Sequence, residues 1–394
     1  MRSILINWEP SNLFAWGIVG LHLFKEWGAR ADLAPVMRWP ISEDEMLGLD
    51  RNHRDRVLAK VHASNEFSRR LQYTLRTAGE AAVKMPVVHA LGNRFRTFPE
   101  RVSGSLNVGR MVFEDTFLDS AAQLGTPCDV FICISEWNAE LLREDVSVPV
   151  FTLHEGVDPS LYCPGTRSGR FGSDRFLIFS GGKLEFKKGQ DLVMLAFKAF
   201  HARHPDSALV VAWQSIWPRL GDGFQGRLGA AIEADEMGRL RVSKWAADNG
   251  IDPSAVIDLG LVPNQQMPSI LREVDCALVP SRCEGGTSMV AMEAMATGVP
   301  TVLAANTGLR DLIGDNNCIP LMRQRPCAPH PSEGRDGWCD SDVDEIVAAL
   351  ERLYASATLR RDVAAAGVAF MQARTWPAHA EGTLRCIVGD AAMT

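Results

Sequence analysis

The chain has 394 residues, of which 46% are hydrophobic and 23% are charged, and this length suits two soluble α/β domains better than a single core. Its net charge of −7 argues against a nucleic-acid-binding protein, and no apolar run approaches the ~20 residues that cross a bilayer. The nine cysteines form no Cys-x-x-Cys pair and have no matching histidine spacing, so neither a zinc site nor a disulfide framework is supported. Because the apolar N-terminal segment is also too short for a signal peptide, we expect a cytoplasmic protein.

The first predicted unit is a strand at residues 3–8, followed by a loop and a helix that reaches about Trp27. Gly17 begins a Gly-Ile-Val-Gly segment at the start of this helix, which gives the strand–turn–helix order of a parallel α/β domain. The segment is not a Gly-x-Gly-x-x-Gly fingerprint, so a nicotinamide-dependent oxidoreductase is the least favoured hypothesis. A tight turn between strand and helix favours glycine in any case, and this structural interpretation has equal weight.

Residues 51–84 are predicted to be helical and carry eight basic and three acidic side chains, an excess of +5 (8 − 3). Such an excess fits an anionic acceptor or a peripheral contact with the inner face of a membrane. A helix face exposed to water explains the same charges more simply. We favour the solvated face and keep the membrane contact as the alternative.

Polar residues follow two predicted strands in the first half. His89 and Asn93 belong to a strand that runs out into a glycine turn, and Glu114 and Asp115 follow the next strand. Ligands bind at the C-terminal ends of parallel strands, so His89 and Asn93 are candidate site residues, and the two carboxylates are candidates for orienting acceptor hydroxyls. The alternatives are a structural histidine and carboxylates that cap a helix at residues 116–124.

A segment rich in Gly, Ser and Pro at residues 164–174 separates the two halves of the chain. The predicted units are an N-terminal domain over residues 1–162, a second domain over residues 163–374, and a C-terminal segment over residues 375–394 that contains an amphipathic helix. The loop-rich stretch at residues 314–340 receives no role.

The second half begins with the same order of elements, a strand at residues 176–179, a Gly-Gly turn and a helix at residues 189–200. Lys183 and Lys188 lie between the turn and the helix. Glycine amides and ammonium groups at a helix N-terminus form an anion site. A solvated lysine cluster is the alternative, and it is disfavoured because the lysines directly follow the turn.

A second apolar helix is predicted at residues 287–297, after a buried strand that ends at Pro280. It is capped by Thr287 or Ser288 in this prediction and is apolar on nearly every side. A helix without a polar face is buried, so the carboxylate of Glu293 requires a partner.

Just before this helix, Glu284-Gly285-Gly286 supplies a second carboxylate and two glycines. The glycines allow a ligand to approach the helix end from Gly285 to Ser288, where free amides lie at the positive end of the helix. A diphosphate at these amides, with sugar hydroxyls at the two carboxylates, is one interpretation. The other is an ordinary helix N-terminus, with Glu293 paired to an arginine.

The sequence Glu-Gly-Gly-Thr-Ser-Met-Val-Ala-Met-Glu-Ala-Met-Ala-Thr-Gly-Val-Pro resembles the paired-glutamate motif of the retaining GT-B glycosyltransferases, specifically glycosyltransferase family four (glycosyl transferases group 1). Eight residues separate Glu284 from Glu293, one more than is usual in the family. The resemblance implies an α/β GT-B fold with two Rossmann-like domains, whose parallel sheets face a central cleft. It also implies that the C-terminal helix returns to the N-terminal domain.

The resemblance assigns roles to the residues of the second half. The counterpart of Glu293 binds the ribose of the donor, and the counterpart of Glu284 binds the donor sugar. Lys183 and Lys188 match the basic residues that hold the diphosphate, and Val262 matches a loop that packs on the base.

The resemblance also reaches into the first half. His89 resembles the N-terminal-domain histidine that touches the donor sugar near the acceptor, so the implied catalytic residues are Glu284, His89 and Lys188. Gly17 resembles the glycine of a turn that faces the donor phosphates.

The reaction implied is transfer of a sugar, with retained configuration, from a UDP- or GDP-type nucleotide sugar to an acceptor hydroxyl. No cofactor or metal is required, because lysines and helix amides neutralise the departing diphosphate. The acceptor class stays open between a glycan, a lipid-linked molecule and a small molecule, and the oligomeric state is not specified. The alternatives are a GT-B sugar-nucleotide epimerase and a non-catalytic nucleotide-sugar-binding protein.

Overall fold

The computed structural model describes residues 2–42, 51–97, 99–118, 127–172, 174–217, 221 and 223–389, without the side chains of residues 51–57, 59 and 388. The chain forms two compact units. Unit 1 contains Met1–Gly156, His330–Gly334 and Arg374–Thr394, and unit 2 contains Val157–Pro329 and Arg335–Ala373. Residues 330–334, which the sequence prediction assigned to the second domain, thus group with unit 1.

Unit 1 is built on a six-stranded parallel sheet in the order β2-β1-β4-β6-β7-β8. Its strands, with the small pair β3 and β5, are β1 Arg2–Asn7, β2 Leu33–Met37, β3 Glu80–Ala82, β4 Val87–Leu91, β5 Arg101–Ser103, β6 Asn107–Met111, β7 Val130–Cys133 and β8 Val150–Thr152. The first three helices are α1 Ala15–Ala29, α2 Arg51–Ala78 and α3 Glu136–Asp145.

Unit 2 is built on a second six-stranded parallel sheet, in the order β11-β10-β9-β12-β13-β14. Its strands, with the antiparallel pair β15 and β16, are β9 Phe176–Gly181, β10 Ser207–Ala212, β11 Val256–Asp258, β12 Cys276–Val279, β13 Thr301–Ala304, β14 Ile319–Leu321, β15 Gln324–Pro326 and β16 Cys339–Ser341. Its helices are α4 Gln190–His201, α5 Val242–Asp248, α6 Met267–Leu271, α7 Met289–Ala296, α8 Val343–Ala355 and α9 Ala357–Met371.

The central strands of unit 2 position the candidate site. Strands β9 and β12 are neighbours in parallel register, with Ile178 opposite Cys276 and Phe179 opposite Ala277. The sheet order reverses between them, because β10 lies beside β9 and β13 lies beside β12. The loops that leave their carboxyl ends therefore emerge at one edge of the sheet, at the switch point where open α/β sheets bind ligands.

The last helix, α10 (Trp376–Val388), belongs to unit 1. The indole of Trp27 in α1 donates to the carbonyl of Ala380 at 3.0 Å, and the imidazole of His22 stacks on Trp376 with 4.6 Å between ring centres. A Cβ on Gly156 would lie 2.4 Å from the Trp376 backbone nitrogen, so glycine allows the chain to pass close to the start of α10.

Two strands that the sequence analysis missed share one property. Both β2 (Leu33–Met37) and β14 (Ile319–Leu321) contain a proline, and both are edge strands of their sheets. Proline lacks the amide hydrogen needed inside a sheet but is tolerated at an edge. Because of these prolines, the residue pattern did not indicate a strand at either position.

Some predicted helices differ from the structure. The sequence after Pro263 predicts a helix at residues 264–274, but the structure has a 3-10 turn at Asn264–Gln266 followed by the five-residue α6. Helix α5 was not predicted. The helix predicted at residues 116–124 extends into residues outside the described ranges. No helix in the described part of the chain is long and apolar enough to span a membrane.

Candidate functional site

The segment after β9 forms a short turn that carries lysines. Phe186–Lys188 is a 3-10 turn, and Gly189 follows it with φ of 71° as the N-cap of α4. A Cβ on Gly189 would lie 2.5 Å from the carbonyl oxygen of Pro280. Glycine is thus required here both by the left-handed backbone and by the close approach to the end of β12.

The segment after β12 packs against this turn through Arg282. The backbone amide of Arg282 donates to the carbonyl of Lys187 at 2.7 Å. Its fully buried guanidinium donates to the carbonyl of Phe186 at 2.7 Å, to the two oxygens of Asp191 at 2.8 and 2.6 Å, and to Asp340 at 2.5 Å. Arg282 therefore fixes the lysine turn relative to the start of the glutamate motif.

Lys188 and Glu284 form an ion pair between these two segments. The Lys188 Nζ lies 2.6 Å from Glu284 Oε2, and the side chains are 18% and 7% exposed. The hydroxyl of Ser281 donates to Glu284 Oε1 at 2.7 Å, and the Glu284 amide donates to the hydroxyl of Thr307 at 3.0 Å. The structure thus brings together two predicted site residues, and the ammonium compensates a carboxylate that would otherwise repel an anion.

The glycine turn leads into the N-terminus of α7. In the described part of the chain, no group accepts a hydrogen bond from the amides of Gly286, Thr287 or Ser288. Thr287 and Ser288 are buried, so these amides require an acceptor from water or from a ligand. Because α7 also carries the positive end of a helix dipole, its N-terminus beside the Lys188–Glu284 pair is suited to an anion.

The prediction that the side chain of Thr287 or Ser288 caps α7 is wrong. Ser288 is the N-cap residue, but its side chain makes no capping hydrogen bond, and its φ is 59°. The Thr287 hydroxyl lies 3.1 Å from the Met292 sulfur rather than on a backbone amide. A capping side chain would have occupied the amides that are left open here.

Lys183 and Lys187 share one carboxylate. Glu185 lies 3.2 Å from Lys183 Nζ and 3.3 Å from Lys187 Nζ. Burial lowers the pKa of Lys183 below its ordinary value of 10.5, although Glu185 opposes this shift. Burial alone would raise the pKa of Glu185, but Lys187, Lys183 and Lys188 outweigh it and lower that pKa. Together with the Lys188–Glu284 pair, these side chains comprise three ammonium groups and two carboxylates. The net charge of the cluster is therefore +1 (3 − 2).

Glu293 is buried in α7, as predicted, and the side-chain amide of Asn264 is one of its partners. The Asn264 Nδ2 donates to Glu293 Oε1 at 2.6 Å, and Glu293 is 6% exposed. The phenol of the buried Tyr162 donates to the backbone carbonyl of Asn264 at 2.9 Å. Burial, followed by the charge of Glu293, raises the pKa of Tyr162 well above its usual value.

Val262 lies just before the 3-10 turn at Asn264–Gln266. It is partly buried against the apolar cluster that contains the α7 residues Met292 and Met295. Its contact with a base stays a prediction.

His89 is placed differently from the sequence prediction. It is the middle residue of β4, opposite Asn7 and Gly109 in the neighbouring strands, and not at the end of the strand. The Asn7 side chain lies 3.0 Å from His89 Nδ1, and the Asn107 Oδ1 lies 3.1 Å from His89 Nε2. Both ring nitrogens are thus used within the unit 1 sheet, and burial lowers the pKa of the imidazole.

Gly17 lies inside α1, in its first turn, and not in a turn before the helix. A Cβ at this position would lie 2.4 Å from the Cβ of Ser11. Close packing of the preceding loop therefore explains the glycine, and contact with a donor phosphate stays a prediction.

Asn93 and Asp115, the candidates for contact with the acceptor substrate, accept hydrogen bonds from backbone amides within unit 1. The Asn93 side-chain oxygen accepts from the amides of Glu114 and Asp115 at 2.8 and 3.2 Å. Asp115 accepts from Arg94 at 2.8 Å and from the amide of Gly334 at 2.7 Å. Because the Asp115 carboxylate is occupied by these donors, the idea that it orients an acceptor hydroxyl is weakened. Glu114 is partly exposed, and its predicted role is unchanged.

Sequence reasoning missed three residues that shape the site, namely Arg282, Asn264 and Tyr162. Arg282 lies two residues before Glu284 and three residues after the buried strand β12, and a charged residue in such a place is a signal for a buried partner. Asn264 and Tyr162 lie in loops and carry no comparable signal. In the described ranges, no group of three His, Cys, Asp or Glu side chains is arranged to hold a metal ion.

The glycosyl transferases group 1 family matches residues 166–324, which contain the lysine turn and the glutamate motif. A D-inositol 3-phosphate glycosyltransferase from Catenulispora acidiphila is 32% identical over 169 residues, which are 42% of this chain and 37% of that relative. The matched part thus spans well under half of the relative's length.

Two solved structures are similar over the length of the chain. Sucrose-phosphate synthase from Thermosynechococcus elongatus is 14% identical with a TM-score of 0.65, and all of both chains is covered. Anabaena HepE in complex with UDP and glucose is 12% identical with a TM-score of 0.61, with 99% of this chain and 100% of that chain covered. These similarities confirm the predicted GT-B architecture of two Rossmann-like domains. Residues 166–324 thus resemble the glycosyl transferases group 1 family, and the chain has the GT-B fold.

Proposed function

We propose that the protein is a glycosyltransferase that moves a sugar from a UDP- or GDP-type nucleotide sugar to an acceptor hydroxyl, with retained configuration and without a metal. The observation that carries this proposal is the Lys188–Glu284 ion pair of 2.6 Å, which stands beside the open amides of Gly286 to Ser288. A diphosphate carries negative charge for the ammonium group and oxygens that accept hydrogen bonds from these amides.

In the proposed reaction, the bond between the anomeric carbon and the diphosphate oxygen breaks, and its electron pair leaves with the diphosphate. The acceptor oxygen forms the new bond on the same face, and its proton passes to the departing phosphate oxygen. Lys188, Lys183 and the α7 amides stabilise the negative charge that builds on the diphosphate. Glu284 binds the donor sugar, and Glu293 binds the ribose.

The acceptor is proposed only as a hydroxyl of a glycan, a lipid-linked molecule or a small molecule. Nucleotide sugars as donors are supported by one relative that is a GDP-mannose-dependent mannosyltransferase and by one structural neighbour that was solved with UDP and glucose. The catalytic role of His89 stays a prediction of the family resemblance.

Thermal denaturation with UDP, GDP, ADP and the matching monophosphates tests the donor site, because a ligand that binds only the native state raises the melting temperature. We expect UDP or GDP to stabilise the protein more than its monophosphate does. Turnover of UDP- or GDP-sugars with a panel of acceptors, in the presence of EDTA, then tests transfer. If no diphosphate raises the melting temperature, the proposed donor site is refuted. Loss of turnover in EDTA would refute metal independence. Epimerisation of the donor without an acceptor would favour an epimerase.

A further inference from the structure

A short relay of hydrogen bonds leads from Tyr162 to Glu293 within unit 2. The Tyr162 hydroxyl donates to the Asn264 carbonyl at 2.9 Å, and the Asn264 amide donates to Glu293 Oε1 at 2.6 Å. These residues are far apart in sequence, with separations of 102 and 29 positions. Tyr162 is 4% exposed and Glu293 is 6% exposed, so the relay is largely shielded from water.

The side chain of Asn264 makes a hydrogen bond that is unusual for the first residue of a helical turn. It is the first residue of a 3-10 turn whose N-cap is Pro263, and no side chain caps this turn. Asparagine at a helix start usually accepts from a nearby backbone amide. Here its Nδ2 instead donates to the Glu293 carboxylate in α7, which restricts the rotation of that carboxylate.

We propose that Asn264 and Tyr162 are positioning residues that orient the Glu293 carboxylate toward the ribose diol of the donor nucleotide, and so set a preference for ribonucleotides over deoxynucleotides. This inference rests on the proposed function, in which Glu293 binds the ribose. A carboxylate accepts hydrogen bonds from both hydroxyls of a vicinal diol only in a defined orientation. An amide that fixes this orientation before binding lowers the cost of ordering it.

The test compares Asn264→Ala, Tyr162→Phe and Glu293→Gln with a control, Gln266→Ala, which truncates an exposed side chain in the same 3-10 turn. Calorimetry measures the affinities for UDP, GDP and their 2′,3′-dideoxy forms, which lack both hydroxyls. The readout is the ratio of ribonucleotide to dideoxynucleotide affinity for whichever base binds. A residue that only supports the fold would not change this ratio.

For Asn264→Ala, we expect the ribonucleotide affinity to fall about tenfold while the dideoxynucleotide affinity stays within about twofold, as for loss of one charged hydrogen bond. Tyr162→Phe should lower the ratio about threefold, because the phenol donates to the Asn264 carbonyl and also interacts with Glu293. Glu293→Gln should lower the ratio at least as much as Asn264→Ala, and Gln266→Ala should leave it unchanged. If Asn264→Ala fails to fold, Asn264→Ser replaces it, and it should lower the ratio because it also removes the Nδ2 donor.

Two results would overturn the inference while leaving the proposed sugar transfer and diphosphate binding intact. One is a wild-type protein that binds UDP or GDP without preferring the ribonucleotide. The other is an Asn264 variant that weakens both forms equally, or neither. Failure of the wild-type protein to bind either diphosphate would instead overturn the proposed function, and this inference with it.

Discussion

Lys188 Nζ and Glu284 Oε2 are 2.6 Å apart, although 96 positions separate the two residues in sequence. The pair joins the loop after β9 to the loop after β12 at the switch point of the unit 2 sheet. Both side chains are mostly buried, so each charge depends on the other. Binding of a diphosphate and stability of the loops are therefore expected to be coupled at this pair.

Lys188→Ala should lower the free energy of unfolding by about 3–5 kcal/mol, because it leaves a buried carboxylate without its partner. It should also weaken binding of UDP or GDP at least about tenfold. Urea denaturation and calorimetry measure the two effects separately. In the double variant Lys188→Met/Glu284→Gln, both charges are gone, so stability should largely recover while diphosphate binding does not. Recovery of both quantities would contradict a direct role for Lys188 in binding.

Arg282→Lys should lower the free energy of unfolding by about 2–3 kcal/mol, since lysine keeps the charge but loses the fork that holds Asp191 and the Phe186 carbonyl. Arg203→Lys is the matched control, because Arg203 forms an exposed pair with Glu351 and such pairs contribute ~0–1 kcal/mol. Chemical denaturation measures both variants. Equal losses for the two would show that the buried arrangement of Arg282 adds nothing.

The affinity for UDP or GDP should decline at alkaline pH because of Lys183. Its ammonium attracts the diphosphate only while it is protonated, and burial lowers its pKa below 10.5. The affinity is thus complete below this lowered pKa and is lost as the pH rises through it, before an ordinary lysine would titrate. Arginine stays charged throughout this range, so Lys183→Arg should shift the decline to higher pH. Calorimetry between pH 7 and 10, with circular dichroism to confirm folding, tests this; identical profiles would rule out Lys183.

His89→Gln distinguishes a structural from a catalytic histidine. If the imidazole serves the sheet, the variant should lose about 1–3 kcal/mol of unfolding free energy through its hydrogen bonds, while turnover of the folded protein stays within about threefold. Denaturation and kcat at a temperature where the variant is folded measure these quantities. A hundredfold loss of kcat with unchanged stability would restore the role implied by the family resemblance.

The same residue predicts a pH dependence of stability. Burial lowers the pKa of folded His89 below its ordinary value of 6.5, so the unfolded chain binds the proton more readily. Its contribution to stability is complete above pH 6.5 and is lost as the pH falls from there toward the lowered pKa. Wild type should therefore lose stability more steeply than His89→Gln below pH 6.5.

The sequence by itself determined those features that depend on neighbouring residues. Alternation of apolar strands, glycine turns and helices predicted the central strands of the two parallel sheets, because these strands are buried on both faces. The burial of Glu293 followed from the apolar faces of α7. Lys188 and Glu284 could be selected because each lies within a few residues of a glycine turn after a strand.

Only the tertiary structure decided which of these side chains meet and which are occupied elsewhere. The roles of Arg282 and Asn264, and the use of His89 and Asp115 inside unit 1, depend on contacts between segments that are distant in sequence. A hydrogen bond requires its two atoms to lie within a few tenths of an ångström of a set distance. Local residue patterns do not carry that geometry, because it arises only when the separate strands and loops pack together.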